Sequence, residues 1–271
     1  MCKVITISNY KGGVGKSTNT CLISYTLAKK GFKTLVVDMD SQANSTKTLM
    51  LTMNNLREDD KEEPQPIERT LLASFQKGTF KDSEIKIMDN LYLLPNFVDF
   101  QDYSRFLYTT FNTQEERDFC FKKMLDEIKD EYDFVFIDTP PMHKEISRNA
   151  VIASDDVLIT LQTQEHSLVG AENFITDLIN IKEEYNLDID LLGILFVLQK
   201  NRGKVDEYII AQTIEEFGRE NTFATKIKQM ERIKRFDILG ITDKDMHDNR
   251  VLSLYDNVAN EILGRLGVEH E

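Results

Sequence analysis

A glycine-rich stretch near the start of the chain could bind phosphate. Residues 8–17 read SNYKGGVGKS, and Gly12, Gly13 and Gly15 occupy three of four consecutive positions. Without Cβ atoms, the backbone N–H groups of such a turn can close around a phosphate chain. A helix that begins directly after the turn adds its N-terminal dipole, which favours an anion. The stretch predicts a site for nucleotide phosphates. The alternative is a tight turn that exposes two solvated lysines.

The side chains that follow these glycines suit the same chemistry. Lys16 would reach the β- and γ-phosphates of a nucleoside triphosphate, and the Ser17 hydroxyl would be a ligand of Mg²⁺. The usual pattern GxxxxGK[ST] is not fully met, because its first glycine falls on Tyr10. The predicted nucleotide-binding residues are Lys11, Gly12, Gly13, Val14, Gly15, Lys16, Ser17 and Thr18.

Three aspartates follow apolar runs. Asp38 and Asp40 come after residues 35–37, and Asp138 comes after residues 134–137. The carboxyl ends of parallel strands form the edge at which an open α/β sheet binds its ligand. A water-mediated contact with Mg²⁺ would explain the carboxylate of Asp138 at the end of its apolar run. Asp38 would support the magnesium shell and the loop. For Asp38 and Asp40, a helix cap or a turn remains the alternative.

The elements that must position these residues alternate along the chain. Apolar, β-branched runs predict buried strands at 4–7, 35–37, 91–94, 134–137, 157–161 and 191–198. Helical patterns lie at 18–30, 115–130, 168–185, 204–217 and 251–266. This alternation predicts an α/β fold with a largely parallel, twisted sheet covered by helices, and together with the glycine-rich stretch it predicts a single-domain P-loop NTPase. We expect one domain over residues 1–271, with a charged, exposed insertion at 54–66.

Composition limits the class of protein. No run of about 18 apolar residues and no secretion signal is present, so we expect a cytoplasmic protein without a membrane span. The three cysteines are widely spaced, which argues against a disulfide framework or a zinc site. The net charge of −13 would normally discourage a nucleic-acid partner.

Three motifs, in this order, resemble those of the ParA/MinD superfamily. Residues 11–18, KGGVGKST, are similar to its deviant Walker A motif KGGxGK[ST]T. Residues 36–42, VVDMDSQ, resemble its DxDPQ segment with Ser41 in place of proline, and residues 136–141, FIDTPP, resemble its Walker B motif DxPP. The resemblance implies ATP and Mg²⁺ as cofactors. It also implies that Asp40 orients the attacking water and that Lys11 crosses an ATP-dependent homodimer interface to the γ-phosphate of the partner.

A basic segment at residues 226–235 favours the ParA-type partition ATPases within this superfamily. Similar proteins bind double-stranded DNA without sequence preference in this region, and Arg232 falls where a DNA-contacting arginine is expected. An ordinary solvated basic face is the alternative. Between residues 226 and 235 five basic residues stand against one acid, Glu231: Lys226, Lys228, Arg232, Lys234 and Arg235.

Other branches of the superfamily fit less well. The nitrogenase iron protein needs cluster-ligating cysteines, whereas Cys21 and Cys120 lie within predicted helices. MinD-like positioning ATPases end in a basic amphipathic helix, and the sequence EILGRLGVEHE would be a poor membrane anchor. Synthetase and other regulatory relatives built on the same P-loop remain an alternative, because residues alone do not exclude them.

The resemblance therefore implies a short partition ATPase without a helix-turn-helix segment before the P-loop. We expect weak basal ATP hydrolysis that DNA and a ParB-type centromere-binding partner stimulate. Such a protein would associate with the nucleoid, without a membrane partner, and segregate a plasmid or chromosome.

Overall fold

The computed structural model describes residues 2–57, 66–198 and 203–268. The insertion predicted at 54–66 lies mostly outside these residues. Its first four positions are helical rather than part of an exposed loop, because the helix that precedes them continues to Arg57.

Within the described residues, seven strands form one sheet in the order β3-β4-β2-β5-β1-β6-β7. All neighbouring pairs are parallel except β3 and β4, which form an antiparallel hairpin at one edge. This arrangement confirms the predicted α/β fold with its largely parallel sheet. The strands are β1 (Lys3–Ser8), β2 (Thr34–Asp38), β3 (Ile85–Met88), β4 (Leu91–Leu94), β5 (Phe134–Asp138), β6 (Asp156–Gln162) and β7 (Asp190–Val197).

The sequence pattern missed β3. Only Ile87 is buried in this four-residue edge strand, so it lacks the continuous apolar run of a strand covered on both faces. The six predicted strands are all present, with ends that differ by at most one residue.

Helices cover both faces of the sheet. They are α1 (Lys16–Lys29), α2 (Asn44–Arg57), α3 (Leu71–Lys77), α4 (Tyr103–Thr110), α5 (Gln114–Leu125), α6 (Lys144–Ala153), α7 (Glu165–Tyr185), α8 (Lys204–Phe217), α9 (Glu231–Leu239) and α10 (Met246–Arg265). The five predicted helices correspond to α1, α5, α7, α8 and α10. The helix predicted to reach residue 130 ends at Leu125, because a turn and a short 3₁₀ segment follow it.

Successive residues of the central strands point to opposite layers. Val36 and Phe136 pack into the layer formed by α1, α2, α9 and α10, whereas Val37 and Ile137 pack against α3, α5 and α6. A third cluster joins β6 and β7 to α7 and α8. Every residue of β2 and β5 is buried, as expected for parallel strands covered on both sides.

The strand register brings the predicted site together. Asp38, the last residue of β2, pairs with Asp138, the last residue of β5. Asp138 in turn pairs with Ile7 on β1, directly before the glycine-rich loop. β1 lies between β5 and β6. The connection from β1 to β2 leads to one side of β1, whereas the connection from β5 leads across β1 to β6 on the other side. Open α/β sheets bind their ligands where the strand order switches in this way.

Candidate nucleotide site

The glycine-rich loop connects β1 to α1, as the sequence predicts. Gly13 and Gly15 have φ of 75° and 73°, in the left-handed region that other residues rarely adopt. A Cβ on Gly15 would also lie 3.0 Å from Nδ2 of Asn19. α1 begins directly afterwards at Lys16, so its N-terminal N–H groups open onto the loop.

Lys16 is held inside this loop. Its side chain is buried, and its Nζ donates to the carbonyl oxygens of Asn9 at 3.0 Å and Lys11 at 3.3 Å. Burial lowers the pKa of Lys16, while the nearby carboxylates of Asp138 and Asp40 act in the opposite direction. A buried ammonium group at a helix N-terminus is well placed to receive a phosphate oxygen.

Asp138 is completely buried at the end of β5. Its Oδ2 accepts a hydrogen bond from Ser45 Oγ at 2.7 Å, whereas its Oδ1 is buried without a hydrogen-bond partner in the described parts of the chain. Burial raises the pKa of Asp138, against the opposing effect of the Ser17 and Ser45 hydroxyls. A buried carboxylate oxygen with a free acceptor site, next to a serine hydroxyl, fits a Mg²⁺ ion or one of its water ligands.

Asp38 has a different environment, although it is equally buried. Its Oδ1 accepts from the N–H of Asp40 at 3.1 Å, and its Oδ2 accepts from both the N–H and the hydroxyl of Thr46 at 2.8 Å. Burial and the neighbouring Asp138 raise the pKa of Asp38. These three hydrogen bonds tie the end of β2 to the start of α2, so Asp38 organises the loop that carries Asp40.

Asp40 lines the same cavity as Lys16. Its Oδ1 accepts from the N–H of Gln42 at 3.0 Å, and its carbonyl oxygen accepts from Asn96 Nδ2 at 2.9 Å. Asn96 also donates its own N–H to Thr46 Oγ1 at 2.9 Å. Sequence reasoning missed Asn96; the signal was its position just after the predicted strand at 91–94, at the same edge of the sheet.

A cavity of about 570 Å³ extends from the loop. Its polar end is formed by the glycine-rich loop, the first residues of α1 and Asp40. Its other end is mainly apolar and was not predicted: Val197, Leu198, Ile227, Met230, Ile233 and Tyr255. Two hydrogen bonds between residues of the lining connect α1 to α9 and α10: Thr18 Oγ1 donates to Asp237 Oδ1 at 2.9 Å, and the Tyr255 hydroxyl donates to Asn19 Oδ1 at 2.9 Å. This lining suits a ligand that carries both a phosphate group and an aromatic group.

Lys11 differs from Lys16 in having an exposed side chain. Its backbone N–H donates to Asn9 Oδ1 at 2.8 Å. Over residues 2–57, 66–198 and 203–268, no hydrogen bond or ion pair involves its ammonium group. One subunit therefore does not by itself place Lys11 in the cavity that Lys16 enters.

The five bases of the segment at 226–235 have different surroundings in the structure. The Arg232 side chain is only 15% exposed and bridges Asp245, at 2.7 Å, and the buried Asp248, at 3.1 Å. This pairing joins α9 to the start of α10, so most of the Arg232 side chain is covered within one subunit. Lys226 lies over the Phe196 ring, and Lys234 is paired with Glu231 and lines the cavity. Lys228 and Arg235 are exposed.

No helix in the described parts of the chain is both long and apolar enough to cross a membrane.

Comparison with known proteins gives the family. The AAA_31 family model, described as an AAA domain, matches residues 2–191. The chromosome-partitioning ATPase Soj of Treponema pallidum is 28% identical over 271 residues, which cover 98% of this chain and 99% of that protein.

Two solved structures share the fold over nearly the whole length. The ATP complex of Cyanothece McdA has a TM-score of 0.81 and 19% identity, covering 100% of this chain and 98% of that one. Cobyrinic acid a,c-diamide synthase from Mycobacterium smegmatis, with a bound ATP analogue and magnesium, has a TM-score of 0.78 and 20% identity, covering 98% and 96%. With its glycine-rich loop, its paired strand-end aspartates and these similarities, the chain belongs to the AAA_31 family and to the ParA-type ATPases of the ParA/MinD superfamily.

Proposed function

We propose that this chain is a Mg²⁺-dependent ATP hydrolase that segregates a plasmid or chromosome. The observation that carries the proposal is that Lys16, Ser17 and Asp40 line one cavity, with the buried carboxylate of Asp138 next to Ser17 and Lys16. The Treponema relative is named a chromosome-partitioning ATPase, which supports the biological role.

Within this proposal, residues 11–18 would bind the ATP phosphates. Lys16 would neutralise phosphate charge, and Ser17 would hold Mg²⁺ together with Asp138, which would act through a water molecule. Asp38 supports this arrangement by fixing the loop. Mg²⁺ shared with phosphates and waters needs only one or two protein ligands. Accordingly, no cluster of three His, Cys, Asp or Glu side chains suited to a metal is required, and the described residues contain none.

Hydrolysis would depend on two further residues. Asp40, at the wall of the cavity, orients the attacking water. Lys11 acts in an ATP sandwich dimer, where it contacts the γ-phosphate bound by the partner and stabilises the charge that develops there. This role agrees with the exposure of Lys11 in a single subunit, because an isolated surface charge contributes little to its own subunit.

DNA binding would follow dimerisation. The exposed cations Lys228, Lys234 and Arg235, with Lys226, form the contact surface, while Arg232 fixes the helix that carries two of them. One subunit offers few phosphate contacts and the chain is acidic, so the monomer binds DNA weakly. A dimer places two such surfaces on one duplex and raises the apparent affinity. A ParB-type partner would then stimulate the weak basal hydrolysis and release the DNA.

A synthetase or a positioning ATPase is the second candidate. The fold similarity to cobyrinic acid a,c-diamide synthase favours it, since that enzyme has the same fold over nearly the same length. ATP-dependent retention of DNA separates the two candidates, because only the partition function requires it.

The test is filter binding of a random-sequence duplex over a salt series. Wild type with ATP and Mg²⁺ should retain DNA, and retention should fall with salt by a slope of about 0.9 for each phosphate contact. ADP should leave only weak retention. Light scattering on the same samples reports the dimer. A protein that dimerises with ATP but shows no salt-dependent DNA retention would overturn the partition function and favour the second candidate.

A further inference from the structure

Asn9 connects the glycine-rich loop to a helix outside the nucleotide cavity. Its side chain is completely buried. Nδ2 donates to the carbonyl oxygens of Thr160 at 2.9 Å and Ser167 at 3.2 Å, and Oδ1 accepts from the N–H of Lys11 at 2.8 Å. An asparagine side chain supplies both donors and the acceptor that this geometry needs. The backbone of Lys11 is thereby linked to the end of β6 and to the first turn of α7.

α7 passes the loop at a distance that only glycine allows. A Cβ on Gly170 would lie 2.5 Å from Asn9 Oδ1, 3.0 Å from the backbone nitrogen of Lys11 and 3.2 Å from its Cβ. Real Cβ atoms do not approach other atoms as closely as the first of these distances. The Asn9 amide is hydrogen-bonded on both sides, so it has little freedom to move away.

Tyr10 adds a second attachment to the same helix. Its hydroxyl donates to Asp177 Oδ2 at 2.6 Å, and its ring makes an edge contact with Phe174 at 5.3 Å between centroids. Phe174 and Asp177 lie about one and two turns beyond Gly170. The residue that replaces the first glycine of the usual phosphate-loop pattern therefore anchors the loop to α7.

We infer that Asn9 and Gly170 are positioning residues for Lys11, so that α7 sets the direction in which the Lys11 side chain leaves the loop. This inference rests on the proposed action of Lys11 across the dimer. The ammonium group of Lys11 has no partner in the described residues, so within one subunit only the backbone fixes the point and the Cα–Cβ direction from which the exposed side chain starts. A displacement of about 1 Å at a positioning group can lower a reaction rate by about 100-fold.

The test compares two glycine-to-alanine substitutions in helices. Gly170→Ala should leave ATP affinity within about 3-fold of wild type but lower ATP-dependent dimerisation and turnover by about 10- to 100-fold. Gly264→Ala, in α10, is the matched control, because a Cβ there meets nothing within 4 Å. It should retain wild-type dimerisation and turnover. Fluorescent-nucleotide binding, light scattering and phosphate release would be measured on the same preparations.

Combining Gly170→Ala with Lys11→Ala distinguishes failure of this inference from failure of the proposed function. If Gly170 acts through Lys11, the double variant should be no more impaired than Lys11→Ala alone. A Lys11→Ala protein that dimerises and turns over normally would remove the trans role itself. If Lys11→Ala is impaired while Gly170→Ala behaves like Gly264→Ala, the positioning role is wrong.

A second variant covers the case in which Gly170→Ala does not fold. Asn9→Ala introduces no steric clash and removes the hydrogen bond from the Lys11 N–H together with those to the carbonyl oxygens of Thr160 and Ser167. It should show the same split between retained ATP binding and impaired dimerisation, again without further impairment when combined with Lys11→Ala. Equal reductions of ATP binding and dimerisation in Asn9→Ala would overturn the inference.

Discussion

The nucleotide site and the basic segment at 226–235 are built in different ways. At the nucleotide site, the ends of three neighbouring strands hold Asp38, Asp138 and the glycine-rich loop side by side. In the basic segment, the surroundings of each base depend on residues elsewhere in the chain: Arg232 pairs with acids at the start of α10, and Lys226 lies over an aromatic ring of β7. A motif fixed by backbone geometry can be located from sequence, whereas a run of charge does not reveal which charges are free.

The largest expected effect belongs to the nucleotide site. Asp40→Ala should lower turnover by about 100-fold, the usual scale for losing a group that positions or accepts a proton, while ATP binding remains nearly intact. Lys16→Ala should instead weaken ATP binding itself, because it removes a buried cation from the loop. Nucleotide titration and phosphate release on the same samples would distinguish these two effects.

Lys47→Ala is the matched control for Lys16→Ala. Lys47 lines the same cavity but is exposed, so its removal should change ATP affinity little. Equal weakening of ATP binding by both substitutions would mean that general positive charge, rather than the buried ammonium group, binds the phosphates.

The same contrast explains which features of the fold and of the site could be predicted from the sequence. The α/β class, six strands and the meeting of Asp38 with Asp138 follow from short-range patterns and from the rule that ligands bind at strand ends. The apolar end of the cavity could not be predicted, because it brings together β7, the segment before α9, and Tyr255 of α10. The clamp on Arg232 could not be predicted either, since its two partners lie 13 and 16 positions further along the chain.

Arg232→Ala is expected to have an intermediate effect, mainly on stability. The substitution leaves the buried Asp248 without its cation and separates α9 from α10. Removal of one partner of a buried ion pair typically costs about 3–5 kcal/mol, and the partial exposure of Arg232 and Asp245 reduces this to about 2 kcal/mol. Urea denaturation would measure the decrease in the free energy of unfolding.

The outcome also decides whether Arg232 contacts DNA directly. Wild-type stability combined with complete loss of ATP-dependent DNA retention would assign Arg232 to the DNA surface, contrary to the clamp. Reduced stability, with DNA retention that recovers under conditions where the variant is folded, would support the clamp.

Arg235→Ala is expected to change the free energy of unfolding least. It also gives the sharpest test of the DNA surface. Arg235 is exposed on α9, only three residues from Arg232, so the two substitutions remove the same charge from the same helix. Exposed substitutions usually change stability by less than about 0.5 kcal/mol, and we expect the same here. If Arg235 neutralises a DNA phosphate, the slope of log affinity against log salt should fall by about 0.9 for each phosphate that is no longer neutralised, while ATP-dependent dimerisation is unchanged. Filter binding over a salt series would measure this slope. An unchanged slope would exclude Arg235 from the DNA surface and would leave Lys228 and Lys234 as the exposed bases of the segment to be tested next.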